Sequence, residues 1–346
     1  MGGEMPPLAL AFERQIGWCR QPSPFTARLL ERLWRWLQLA PDARAASEAV
    51  ADDLLAAAVP LRWAGALHHL ALRRLEPWAG TWPPHRATDQ QLDAAIAHAW
   101  ATQREAIVDA LSRAPQTNEV QRSCALLPGL LHVAAATGRP LALLEIGASA
   151  GINLWPERHG YDYGSWRWGS DRAPLQLKAD WQGAHPPDVA LAIAHRAACD
   201  RHPVDITQPA EALRLESFVW PDQLARMARL RQARDLAARW LAAEGVALQP
   251  VPAGAFVARQ LEQADPAVTT VLMHSIVWQY IGADEQQAVR AALQAAAARG
   301  LSLAWLRFEP PEPERRPELR CTLWPGGHDR LLALAHAHVG GIEWCA

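Results

Sequence analysis

The stretch L141-A-L-L-E-I-G-A-S-A-G-I-N-L154 constrains this chain more than any other. An apolar run, Leu141 to Leu144, leads through Glu145 into Gly147, Ser149 and Gly151, and then into a helix-compatible segment. Glycines directly after a buried strand let the backbone turn sharply and approach a ligand at the next helix's N-terminus. A doubly wound α/β sheet holds a nucleotide-like cofactor in this way. Gly147-Ala148-Ser149-Ala150-Gly151 also spells G-x-S-x-G, the nucleophile elbow of α/β-hydrolases. The functional question is which of the two applies.

The order of elements separates them. To about Arg113 the chain reads as helices only. Phe25 to Leu39 carries Phe25, Leu29, Leu33, Trp36 and Leu37 on one stripe at helical spacing. Asp52–Ala58, Leu61–Leu75 and a longer segment, Asp89–Ser112, follow the same rule. The Pro/Gly/Trp-rich Pro77–Pro84 reads as a surface loop. Asn118 is placed to cap a helix running to about Thr137, with Gln121 in the capping-box position and Gly138 ending it. Strand-like runs then alternate with helices: Leu141–Ile146, Val189–Ala194, Val246–Val251, Val268–His274 and Leu301–Phe308. Pro221–Ala243 and Asp284–Arg299 are the principal helices between them. That alternation predicts a mainly parallel sheet covered on both faces. Arg320–Trp324 and Leu331–Trp344, around Pro325-Gly326-Gly327, predict a closing antiparallel hairpin.

A hydrolase elbow lies in mid-sheet with strands before it, and here the sheet begins at Leu141. No H-G-G-G-type oxyanion segment precedes it. Acid-then-histidine pairs such as Asp265 with His274, or Asp329 with His336, are easy to find among 13 histidines. Ser149 as a hydrolase nucleophile is therefore the alternative, not the first reading.

A sheet whose first strand carries the glycine motif resembles a class I S-adenosylmethionine-dependent methyltransferase. Glu145, Gly147 and Gly151 match that group's first signature, with Ser149 in place of the middle glycine. Cys199-Asp200-Arg201-His202-Pro203 has the shape of the second, which implies that Asp200 accepts the ribose hydroxyls. The acidic residue expected after the third strand is missing from Pro252–Phe256, leaving backbone around Gly254 and Ala255 to meet the adenine. Q116-T-N-E-V-Q-R122, E145-I-G-A-S-A-G-I-N153, Y161-D-Y-G164, W220-P-D222 and W324-P-G326 recur in this order in an uncharacterised bacterial family, domain of unknown function 2332. The chain is identified as a member of that family on these segments, and the family is methyltransferase-like in its sheet. The resemblance implies an α/β fold, a Rossmann-like methyltransferase sheet with a closing antiparallel hairpin, over 114–346, with an inserted hairpin near 160–182. Residues 1–113 are expected to form an all-helical domain capping the sheet's ligand edge. The implied cofactor is S-adenosylmethionine, held by Glu145, Gly147, Ser149, Gly151, Asn153, Asp200, Asn118, Gly254 and Ala255. Its partner is a small-molecule methyl acceptor, and a fold that binds without catalysing is the third reading.

Glu119, Arg122 and His274 are the candidate catalytic side chains, expected to face the same cleft as Gly147 and Asp200. Each has a plainer reading. Glu119 suits a helix N-terminus, and a lone histidine after an apolar strand is often a satisfied core residue. Trp166, Trp168 and Trp181 are candidates to line an aromatic pocket, where a sulfonium or amine gains about 0.5–2 kcal/mol from cation–π contact. His68-His69, and His336 with His338, lack a third and fourth ligand, so no metal site is expected.

The net charge of −2 gives no electrostatic reason to expect nucleic acid or an anionic membrane as partner. The five cysteines have no C-x-x-C or zinc-like spacing, which suits a reducing cytoplasm. The first residues lack the basic start and apolar core of a signal peptide, Pro6 breaks a myristoylation motif, and no run is long enough to span a bilayer. A cytoplasmic location is expected, and oligomeric state is not indicated.

Overall fold

Proline starts each of the first three helices among the described residues. Pro7, Pro24 and Pro41 are the first residues of α1 (Pro7–Cys19), α2 (Pro24–Leu37) and α3 (Pro41–Glu48). There a preset φ helps and the missing N–H is not needed. Ser23 caps α2 by accepting from Thr26 N at 3.3 Å. Next come α4 (Val59–Leu72), α5 (Trp78–Thr81) and α6 (Asp89–Ser112), the last opened by a reciprocal Thr88–Gln91 capping box. The bounds of α6 are those that periodicity predicts. Two expectations fail here. Asp52–Ala58 is a turn, not a helix, because Asp53 Oδ1 accepts from Leu55 N and Ala56 N at 3.1 and 2.9 Å and competes with helical bonding. Pro77–Pro84 is not a surface loop: it contains α5, and Trp78 and Trp82 are 1% and 4% exposed. Burying two indoles outweighs the cost of ordering a proline-rich segment.

The computed structural model describes residues 5–312 and 315–346. They divide into two units. The helical unit comprises the described residues up to Thr117 together with Ile206–Arg231, a later segment that the sequence assigns to the second domain. No strand occurs among its described residues.

The second unit, Asn118–Asp205 with Gln232–Ala346, is mixed α/β. A single 3-10 turn, Val120–Arg122, leads into α7 (Ser123–Thr137), which ends on left-handed Gly138 as its sequence predicts. β1 (Leu141–Ile146) follows, then a small three-stranded sheet of β2 (Gly160–Asp162), β3 (Arg167–Trp168) and β4 (Gln176–Lys178). β5 (Asp180–Gln182) and β6 (Ile193–Asp200) come next. The second main strand thus shares only Ile193 and Ala194 with the Val189–Ala194 expected for it. α8 (Pro209–Ser217) and the start of α9 (Leu224–Glu244) fall in the helical unit's later segment; the second unit resumes within α9 and continues with β7 (Leu248–Pro250), α10 (Ala253–Glu262), β8 (Thr269–Ser275), α11 (Ala283–Ala298) and β9 (Leu303–Glu309). β10 (Glu318–Trp324), β11 (His328–Ala335) and β12 (Gly341–Trp344) complete the unit.

The nine-stranded sheet has the order β5-β12-β11-β10-β9-β8-β1-β6-β7. β7, β6, β1, β8 and β9 pair in parallel, and β9 to β12 form a four-stranded antiparallel meander, in which the single expected strand Leu331–Trp344 is split into β11 and β12. Side chains alternate faces along each strand. Leu144, Leu272 and Trp305 share one face with Phe256 and Val257 of α10 and Leu293 of α11. Glu145, Met273 and Leu306, in register with one another, share the other. There α7 packs so closely that a Cβ on Gly129 would lie 2.6 Å from Leu306 Cδ1.

Candidate functional site at the C-terminal edge of the sheet

β1 leaves the sheet centre while its two neighbours are entered in opposite directions. This is the switch point where open α/β sheets bind ligands. The loop after it takes three left-handed residues, Gly147, Ser149 and Gly151, with φ of +65°, +52° and +68°. Glycine adopts this conformation freely, whereas serine is held there by its bonds. Ser149 N–H donates to Asp200 Oδ2 at 2.9 Å, and Ser149 O accepts from Val204 N at 2.9 Å. Asp200 Oδ1 accepts in turn from His202 N. The carboxylate at the end of β6 thus fastens the glycine loop of β1. The loop then runs into two 3-10 turns, Ile152–Leu154 and Pro156–Arg158. The helix-compatible segment thus forms only short 3-10 turns at the place where a helix N-terminus would face a ligand.

Gly147 and Asp200 line one cavity of about 140 Å³ with Val251, Ala253, Val277 and Glu285. Val277 presses on the glycine: a Cβ on Gly147 would lie 2.3 Å from Val277 Cγ2. Glu285 closes the far wall, accepting from Ala253 N at the start of α10 and pairing with Arg201. The loop that carries Val277 also borders a larger cavity of about 750 Å³. Ile276 and Gln279 line that one with Asp180, His336, Ala337 and Glu343.

Several buried polar atoms near the glycine loop lack a hydrogen-bond partner: Glu145 Oε2, Ser149 Oγ and Asn153 Nδ2. Buried polar groups are normally paired, so such a cluster marks a place for a ligand or ordered water. Burial, then the charge of Asp200, pushes the Glu145 carboxyl up to about 8, against an opposing pull from Arg122. Asn118 and Asn153 shape the loop from the side. Asn118 Oδ1 accepts from Ile152 N at 3.0 Å instead of capping its own helix, and Asn153 Oδ1 accepts from Ser123 Oγ at 2.9 Å.

Glu119 and Arg122 are buried and belong to a polar staple. Glu119 accepts from Gln121 N, and its Oε2 lies 3.8 Å from His338 Nδ1. Gln121, expected in a capping box, donates instead to Lys178 O and Val339 O. Arg122 donates to Ser275 O at 2.9 Å and Ala337 O at 3.3 Å. These bonds tie the ends of β4, β8 and β11 together beside the larger cavity.

His274 does not join them. It lies on the opposite face, where Nδ1 meets Glu309 Oε1 at 2.7 Å and Nε2 accepts from Trp305 Nε1 at 3.1 Å. Its ring stacks on Trp278. Glu309 also accepts from Val277 N, so the pair positions the loop over Gly147. Gly254 and Ala255 are helical residues of α10. The first packs where a Cβ would meet Ala288 Cβ at 2.7 Å, the second is exposed, and neither lines the cavity. The rings of Trp166 and Trp181 pack on Tyr163 and on each other. Trp168 packs edge-on against Tyr161.

Val277 and Glu309 carry no sequence signal beyond their places after β8 and at the end of β9. Asp200 is singled out in the sequence by the resemblance of Cys199–Pro203 to the second methyltransferase signature, and it is the last residue of β6. Ser149 Oγ has no hydrogen-bond partner among the described residues. Among the described residues no cluster of three metal-capable side chains occurs, and no helix is long and apolar enough to cross a membrane. Comparison with functionally curated proteins finds no match. Residues 9–344 match the family described as an uncharacterised protein conserved in bacteria, DUF2332, and the chain belongs to it.

Proposed function

We propose that the protein binds S-adenosylmethionine at the sheet's switch point and transfers its methyl group to a small or medium-sized acceptor. One observation carries the reading: in the parallel order β7-β6-β1-β8-β9, the glycine loop of the central strand and a carboxylate on its neighbour line the same cavity. That arrangement supports a Rossmann-like methyltransferase sheet. Asp200 lines that cavity and suits ribose hydroxyls; Glu145, Ser149 and Asn153 are buried beside the loop, outside the cavity's lining, and would have to be uncovered to meet an amino-acid moiety. The room fits only in part. A cavity of 140 Å³ is smaller than the roughly 300–1,000 Å³ typical of ligand sites. Entry therefore requires the loop carrying Val277 to swing away from Gly147. Its strained Ile276, at φ +52°, and exposed Gly282 are the natural pivots.

The bound cofactor would supply an electrophilic methyl on its sulfonium. The protein's part is to orient both molecules and exclude water. The larger cavity across the same loop is the place for the acceptor. Calorimetry with S-adenosylmethionine tests the reading. Wild type should bind, Asp200→Ala should weaken binding about tenfold, and Val277→Ala should strengthen it. No heat of binding at millimolar cofactor refutes the proposal, whereas unchanged affinity in Asp200→Ala refutes only the role of that residue.

A second reading, binding without catalysis, is favoured by one feature: both His274 nitrogens and the Arg122 guanidinium already serve protein groups. Binding with no methylated product from a metabolite extract supports it over the first. A fluorophosphonate probe should leave Ser149 unlabelled, and stoichiometric labelling there would revive the hydrolase.

A further inference from the structure

The helical unit has a cavity of its own, about 200 Å³, framed by α4, α6 and α8. Its floor is made of small residues, Gly65 and Ala66 on α4, Ala106 and Ala110 on α6, and Ala210 on α8. Phe218 closes one side, where a Cβ on Gly65 would lie 2.6 Å from Cε1 of its ring. An apolar cavity of about 150 Å³ accommodates one benzene molecule. This one therefore has room for a single ring and a small substituent.

The rim is polar and its charges do not balance. Arg113 lies 2.9 Å from Asp109 Oδ2, and Arg214 lies 2.7 Å from Glu211 Oε2 while donating to Gln116 Oε1. Both acids are thereby matched. The Arg73 guanidinium makes no hydrogen bond or ion pair among the described residues. One turn before it, half-buried His69 also faces the cavity, its pKa held below the usual value by burial and then by Arg73. The ring is thus neutral near pH 7, leaving one uncompensated guanidinium beside an imidazole. A guanidinium offers a planar fork that matches a carboxylate.

We infer that this cavity binds a small organic anion, a carboxylate on an apolar body about the size of one ring, with the carboxylate on Arg73 and the ring over the alanine floor. The site shares no residue with the glycine-loop cavity and stands independently of the function proposed there.

Fluorine NMR of 4-fluorobenzoate with the full-length protein tests it, with 4-fluorobenzamidine as the charge-reversed control. Saturable binding is expected, with a Kd on the order of 1 mM for so small a ligand. Arg73→Gln should weaken it about fivefold. Ala106→Trp, which fills the cavity from an exposed helix position, should abolish it without changing the circular dichroism spectrum. Absence of saturable binding overturns the inference. So does equal binding of the benzamidine, or affinity unchanged in both variants.

Discussion

Two buried ionisable groups stand on adjacent strands at the same sheet edge, and they differ in how they are satisfied. His274 on β8 has both ring nitrogens engaged, by Glu309 and Trp305. Glu145 on β1 is in register with Met273, one residue away, yet its Oε2 has no partner. A buried polar group is costly unless hydrogen-bonded. The His274 side is finished scaffold that holds Val277 in place. The Glu145 side is left open, with Ser149 Oγ and Asn153 Nδ2 equally unpartnered. The contrast teaches that a titratable residue at a ligand edge is informative only once its partners are known.

The comparison can be broken most directly at its closed side. His274→Ala should destabilise the protein by about 3–5 kcal/mol, because it takes one partner from Glu309, leaves Trp305 Nε1 without its acceptor and opens a void. Urea denaturation followed by tryptophan fluorescence measures this, and a loss below about 1 kcal/mol would remove His274 from the scaffold. Arg122→Ala should cost somewhat less, about 2–3 kcal/mol, by stripping donors from Ser275 O and Ala337 O. If it instead left stability intact while abolishing methyl transfer, Arg122 would be catalytic rather than part of a staple.

On the open side the test is pH. The Glu145 carboxyl is raised from 4.5 to about 8, so the folded state keeps a proton that the unfolded chain has lost. This stabilising contribution is complete below about pH 4.5 and is lost as pH rises towards 8, with a slope of up to about 1.4 kcal/mol per pH unit. Glu145→Gln carries no such proton, so the wild type minus mutant difference in stability should fall over that window. A flat difference would mean that Glu145 is ionised in the fold and has found a partner. The smallest effect is expected at Ala255, exposed on α10. Ala255→Lys should change stability by less than about 0.5 kcal/mol and leave cofactor affinity unchanged.

Much of the fold could be read from local pattern. The α6 segment, the β1 run, the left-handed stop at Gly138 and the absence of early strands all follow from periodicity and turn chemistry. The second strand was misplaced for a definite reason. β6 carries His195 and Arg196, which break its apolar run. Arg196 is tolerated because it pairs with Glu157 and Glu244 and lies 4.6 Å over the Trp155 ring. Those partners are 39 and 48 residues away, beyond any window of sequence periodicity.

The same limit applies to the candidate site. The sequence by itself determined the glycine turn after the first strand, the carboxylate after the second and the alternation of strands and helices, because periodicity and φ preference are properties of neighbouring residues. Only the tertiary structure decided that Val277 fills the space over Gly147, that Gln121 and Arg122 serve distant carbonyls, and that His274 and Glu145 face opposite ways. Whether a polar side chain is scaffold or site depends on what else is buried beside it, and that is settled when segments far apart in the chain pack together.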